Sequence, residues 1–318
     1  MSRAMLANAS TPVKIIFSVL VILFAWFIFQ FIALLTGMFI FSIPFEDAAN
    51  ILKNIQHPEG INFLKYVQAI SSIGLFIFSS LTIAYFFDIH ILKFLYLEKN
   101  PGFKNLLLIF ILILVILPFS NLMTELNENL QLPDSLQRVQ HFLETKEEEM
   151  NDIVKRFLDA RGVWVFLLNI LVIALIPAIG EELLFRGVFQ KLFISLFKNV
   201  HLGIIITAFI FSALHLQFLS FLPRFILGII FGYFVVWSES LWPAIIAHFI
   251  NNALAVIYYY FFYAGKIGDE MEMIGSPGHG LYYGLLSMVI SGAIIFLIFR
   301  NYRDNNISSD SIHSDSSY

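Results

Sequence analysis

The sequence predicts an all-α, polytopic transmembrane helical bundle of about eight membrane helices, on three observations. The chain is 58% hydrophobic and only 13% charged, with a mean hydropathy of +0.80; soluble domains carry roughly 25% charged residues. Its apolar residues gather into charge-free runs close to the ~20 residues that cross a bilayer. Between the runs lie short connections where the Lys, Arg, Asp and Glu residues concentrate. The net charge of −4 is spread without a basic stripe, which argues against a nucleic-acid partner. The absence of cysteine excludes disulfides, thiolate metal ligands, a cysteine nucleophile and prenylation of this chain.

The first run, Ile15–Phe45, is too long for the apolar core of a signal peptide and lacks a small-residue cleavage site, so it reads as a retained membrane helix. Tyr66–Phe87 and Asn105–Thr124 follow as the second and third spans. The connection after them holds an amphipathic extramembrane helix at about 134–160. There Leu136, Val139, Leu143, Met150, Ile153, Val154, Phe157 and Leu158 recur at helical spacing among Glu, Lys and Arg. It reads as a solvated helix that lays one face on the protein or the interface.

Gly162–Gly180 is the fourth span and continues through a charged element towards Phe197. Asn199–Pro223, Phe225–Ser238, Ser240–Gly265 and Gly280–Phe299 complete the set. In the sixth, Gly228 and Gly232 form a small-x-x-x-small pattern that allows close helix approach. Residues 1–300 thus read as one transmembrane domain, and the Ser/Asp/Asn-rich stretch 301–318 as a disordered polar tail. An even number of spans puts both termini on one side. The placement of Lys and Arg makes that side cytoplasmic, in a multi-pass protein of the cell membrane.

The chemistry concentrates in about 162–265. Glu181, Glu182 and Arg186 end a stretch with no charge from Gly162 to Gly180. Three uncompensated charges in hydrocarbon would cost on the order of 8 kcal/mol, comparable to the net stability of a whole domain. They must be paired, wet or useful. Positions four apart share a helix face, so Glu182 and Arg186 can pair, while Glu181 lies about 100° round the helix and faces a different partner. Glu181 is thereby the candidate base. His215 follows Phe211 by four in an apolar run, and His248 and Asn252 are four apart on a later helix, with Asn251 facing elsewhere. Each group alone also fits an interfacial charge cluster or an interhelical hydrogen bond. Together, a carboxylate, two imidazoles and an amide around one water make a hydrolytic site.

Glu181-Glu182-Leu183-Leu184-Phe185-Arg186, then Phe211 to His215, then His248 to Asn252 reproduce, in order, the Glu-Glu-x-x-x-Arg, Phe-x-x-x-His and His-x-x-x-Asn patterns of a known group. Over roughly Leu171 to Leu254 the chain resembles the intramembrane endopeptidases of the CAAX protease and bacteriocin-processing (CPBP or Abi) family. The phrase Leu241–His248 is similar to that family's as well. The resemblance implies that Glu181 activates water with His215, that His248 and Asn252 stabilise the oxyanion, and that Glu182 and Arg186 organise the site. It implies a peptide or membrane-protein substrate, with prenylated C-termini among those the family takes. It leaves open a metallo-type against a glutamate-type enzyme: Glu181, His215 and His248 could hold zinc with an open position, and the same groups suffice without metal.

Other chemistries fit less well. The sequence has no His-Glu-x-x-His helix and no Gly-x-Ser-Gly element. Asp269, in a polar loop, and Asp88, at a helix end, read as solvated interfacial residues. His57, His90, His141, His201, His279 and His313 lie near polar connections and need no role. Two rival functions remain: a proton- or ion-coupled transporter using the buried Glu and His groups, and a catalytically idle membrane scaffold or immunity protein.

Overall fold

A computed structural model of the chain describes residues 4–53, 59–130, 133–159, 162–268, 273–278 and 280–315. Asp269, His57 and His279 lie outside the described residues, as does the side chain of His313. The described elements are helices, with no strand among them. We number the longer ones α1 (Thr11–Ile40), α2 (Phe45–Lys53), α3 (Gly60–Phe87), α4 (Phe103–Val115), α5 (Leu117–Glu128), α6 (Gln137–Leu158), α7 (Val163–Phe197), α8 (Val200–Leu214), α9 (Phe221–Ser238), α10 (Trp242–Tyr263) and α11 (Leu281–Asp315).

Six helices are long and apolar enough to cross a membrane: α1, α3, α7, α9, α10 and the Leu281–Asp304 part of α11. A seventh span is available if α4 and α5, bent by 45° at their junction, count as one. Pro118 lies just past that bend; it lacks an N–H, and its ring crowds the carbonyl one turn back. The expected fifth span is shorter than its apolar run. It stops at Leu214, and its 15 residues reach about 22 Å at 1.5 Å per residue, short of a ~30 Å hydrocarbon core. The eight sequence runs therefore correspond to six full spans, one bent pair and one short helix.

The end of the chain differs from expectation. Helix α11 runs without a break through Asp315, past the point where a disordered tail was expected to begin. No Gly or Pro interrupts it after Gly292. Arg300 lies one turn before Asp304 at 3.5 Å, Asn301 donates to Asn105 at 3.1 Å, and the Tyr302 side chain is buried.

The chain divides into two compact units. The first comprises residues 1–95, 149–203 and 251–267. Its α1 and α3 pack along their length because small residues let them approach. A Cβ on Gly74 would stand 2.3 Å from the Cβ of Phe29, and one on Gly37 would stand 2.9 Å from the ring of Phe63. Hydrogen bonds from Ser71 to Gln30 (2.7 Å) and between Thr36 and Tyr66 (2.9 Å) join the same two helices. The C-terminus of α6 is tied down here too. The carbonyl of Phe157 accepts from the buried Lys65 ammonium at 2.8 Å and from Asn169 at 2.7 Å. Lys65 is therefore an internal cap on a helix end, where opposite charge is favoured, and not the solvated connection charge that the span reading made it.

The second unit comprises residues 96–148, 204–250 and 268–318. In it α11 packs on α4 and α5, and α9 packs on α5 and α11. The corner between α9 and α10 turns at Glu239 in the left-handed region (φ 51°), with the Ser238 hydroxyl bonded to the carbonyl of Ser240 at 3.0 Å. Outside the spans, burial and then the neighbouring Glu239 charge push the Tyr96 phenol above its ordinary value.

Gly180 gives a test of how the first unit is assembled. A Cβ there would lie 2.7 Å from the Cβ of Phe76 on α3, with no flexible atom free to yield. Gly180→Ala is expected to lower stability by about 1–3 kcal/mol, read as a drop in melting temperature in detergent, and Phe76→Ala is expected to relieve part of it.

Candidate functional site

Helix α7 carries the carboxylates. The element expected to continue through Glu181 towards Phe197 does so as one 35-residue helix. Two stretches of it, Ile170–Leu175 and Phe185–Phe189, are π-helical and bracket the charged residues. Such widened turns recur where a helix is locally reshaped for function. Glu182 and Arg186 are almost wholly buried and joined at 2.9 Å, which is the one-turn pair expected from their spacing. Removing either partner of a buried pair leaves the other charge uncompensated. Glu181, next in sequence, is half-buried.

The next contact follows from a proline. Pro177 has no N–H, so the carbonyl of Ile173, one α-helical turn earlier, loses its usual backbone donor. Asn252 Nδ2 on α10 donates to that oxygen at 3.2 Å. Asn251 Nδ2 in turn donates to Asn252 Oδ1 at 3.3 Å, which fixes which end of the amide faces Ile173. Neighbouring helix positions point about 100° apart, yet the two side chains are long enough to meet. The expectation that Asn251 faces elsewhere is corrected on this point. Asn252 therefore docks α10 on α7 within the first unit, a structural task that its place in the motif did not reveal.

The second unit holds both imidazoles. His215 is not inside a helix as expected: α8 ends at Leu214, His215 is the first residue of the turn, and Leu216 has φ +53°. Its Nδ1 lies 2.8 Å from the carbonyl oxygen of Phe211. A carbonyl only accepts, so Nδ1 carries the hydrogen, and in the neutral ring Nε2 keeps the lone pair. The Phe211 ring lies 4.8 Å from the His215 ring and 6.1 Å from the His248 ring, while Phe231 lies 6.0 Å from His248 on another side. His248 is buried. Phe211 is thus the hub of this half: its backbone sets the orientation of one histidine and its ring packs against both. Its position four before His215 was the available signal, because that spacing puts the two on one helix face.

Glu181, Glu182, Arg186 and Asn252 belong to the first unit, and His215 and His248 to the second. No group of three or more His, Asp or Glu side chains placed to hold a metal ion occurs among the described residues. The arrangement does not fit a zinc centre on Glu181, His215 and His248, and no chemical step is derived through one. Asp88 ends α3 and accepts the backbone N–H of His90 at 2.8 Å, the turn role expected of it.

Residues 163–254 match the family described as Type II CAAX prenyl endopeptidase Rce1-like. A relative in Bacillus subtilis (strain 168), the uncharacterized protein YpbD, is 33% identical over 90 residues, which is 27% of this chain and 43% of that protein. The chain thus covers less than half the length of that relative. No solved structure matches.

Two outcomes test the geometry. Arg186→Gln is expected to destabilise the fold by about 3–5 kcal/mol, and pairing it with Glu182→Gln is expected to recover part of the loss in detergent unfolding. Asn252→Ala is expected to cost about 1 kcal/mol. That penalty should shrink in a Pro177→Ala background, where a backbone N–H is again available to Ile173, and a double-mutant cycle measures the coupling.

Proposed function

We propose, on the premise of the Rce1-like domain at residues 163–254, that this chain is an intramembrane endopeptidase of the CAAX protease-like type. The observation that carries the reading is that the matched segment contains all of Glu181, Glu182, Arg186, His215, His248 and Asn252. Its substrate is a peptide or the membrane-proximal part of a membrane protein; a prenylated C-terminus is the narrower alternative within that class.

In this reading the mechanism is of the glutamate type. Glu181 takes a proton from the attacking water, and the hydroxide adds to the scissile carbonyl. The developing oxyanion receives hydrogen bonds from His248 and from the second N–H of Asn252, a contribution of a few kcal/mol per donor. His215, with its hydrogen held on Nδ1 by Phe211, offers Nε2 as a second proton carrier, and the proton passes finally to the leaving amine. Glu182 and Arg186 touch no reacting atom. They hold the α7 turn on which Glu181 stands, and their mutual neutralisation keeps the Arg186 charge from becoming the default partner of Glu181.

The test compares purified wild type with Glu181→Gln on a peptide library in detergent. Turnover is expected to fall by about 10²–10⁴-fold. Adding His215→Ala to Glu181→Gln is expected to cost far less than the two separate losses combined, because groups that act on one step are not additive. Equal turnover by wild type and Glu181→Gln would remove the proposed base. A chelator is expected to leave activity unchanged, with bound metal measured in parallel; loss of activity that zinc restores would replace the glutamate mechanism with a metallo-type one. A transporter would instead show solute or proton flux in liposomes without peptide cleavage.

A further inference from the structure

The turn that begins at His215 is held by two buried side chains from outside the motif segments, Glu147 and Asn127. Glu147 belongs to α6, the amphipathic helix, where its neighbours Glu148 and Glu149 are exposed. Glu147 itself is 1% exposed. One carboxylate oxygen accepts the backbone N–H of Leu219 at 2.6 Å and the other accepts the hydroxyl of Ser220 at 2.9 Å. Asn127, at the end of α5 and 2% exposed, donates to the carbonyl of Phe218 at 2.6 Å and accepts the N–H of Leu222 at 2.9 Å.

These bonds account for the start of α9. A helix leaves its first N–H groups without intrahelical acceptors. Here the N–H of Phe221 goes to Phe218, that of Leu222 goes to Asn127, and Pro223 has none to place. Ser220 occupies the N-cap position, where a serine hydroxyl ordinarily bonds the helix backbone. It makes no such bond, because its hydroxyl is given to Glu147. Ser212 closes the turn from its other side by donating to the carbonyl of Phe221 at 2.7 Å. His215 therefore sits in a segment fixed at Phe211, Ser212, Phe218, Leu219, Ser220 and Leu222.

We propose that Glu147 and Asn127 are positioning residues that set the aim of the His215 imidazole by clamping the turn behind it. This gives the connecting helix α6 a part in catalysis, and as a catalytic role it rests on the peptidase reading above. A group that orients a reacting side chain affects turnover more than substrate binding, since a misplacement of about 1 Å can cost ~10²-fold.

The experiment uses the full chain in detergent and reads two quantities. The first is kcat and KM for peptide cleavage. The second, independent of activity, is the rate at which diethyl pyrocarbonate modifies His215, followed by mass spectrometry with His201 as the internal reference. Glu147→Ala and Asn127→Ala are each expected to lower kcat by about tenfold to a hundredfold, with KM changed by less than about threefold. The His215 modification rate should shift several-fold while that of His201 stays constant. Glu147→Gln, which keeps one acceptor oxygen, is expected to recover most of the lost kcat, and Ser220→Ala to lose only a few-fold. If Glu147→Ala unfolds, the Glu147→Gln and Ser220→Ala pair decides. Variants that remain folded with kcat and His215 reactivity both at wild-type values overturn the proposal, as does a loss confined to KM. If the wild type cleaves no peptide, the peptidase reading falls, and the His215 modification rate alone decides whether the clamp exists.

Discussion

Arg186 needs Glu182, and much of the first unit is arranged around meeting needs of that kind. A helix surrounded by hydrocarbon has no water with which to satisfy a stray charge, amide or carbonyl. Each polar group on α7 has therefore drawn a partner from within the protein: Arg186 takes Glu182, Asn169 takes the end of α6, and the carbonyl left open by Pro177 takes Asn252. These contacts are few, and they lie along the helix that bears Glu181. The residue proposed as the base thus stands on a scaffold whose polar groups already have assigned partners.

The second unit solves a different problem. It must present two imidazoles from chain segments far apart in sequence, and it does so with aromatic packing and turn chemistry. Phe211 spaces His215 and His248, and buried side chains of α5 and α6 hold the backbone that follows His215. An acidic residue on a charge-rich surface helix is ordinarily solvated. Glu147 departs from that rule because it meets the uncapped start of α9, where a carboxylate has both N–H donors and a favourable dipole to face.

Much of this was legible from residue order. The apolar runs located the helices, and the one-turn spacing of Glu182 and Arg186 foretold their pair, because period and length are local properties of the chain. What could not be read depends on partners distant in sequence or on deviations from ideal geometry. Nothing in the stretch around Ile173 announces that its carbonyl will be served by Asn252. Nothing in Gln137–Leu158 separates Glu147 from the four other acidic residues of that helix. The run Asn199–Pro223 looked long enough to span because hydropathy does not register where a turn forms, and the turn at His215 is made by hydrogen bonds from Ser212, Asn127 and Glu147. The tail beyond Phe299 looked disordered by composition, but a helix already packed up to Tyr302 carries its hydrogen-bonding pattern onward at little cost, since propagation is easier than nucleation.

The two widened turns of α7 also bear on how this helix can change over evolutionary time. A π-helical turn holds one residue more than an α-helical turn. Loss of a single amino acid from Ile170–Leu175 could be absorbed by tightening that turn, but everything after it would swing by about 100° and slide by about 1.5 Å relative to Asn169. Adjacent carboxylates differ in direction by the same angle. One deletion there would hand the bearing of Glu181 to Glu182, so the length of this segment acts as a phase setting that decides which acid faces which neighbour.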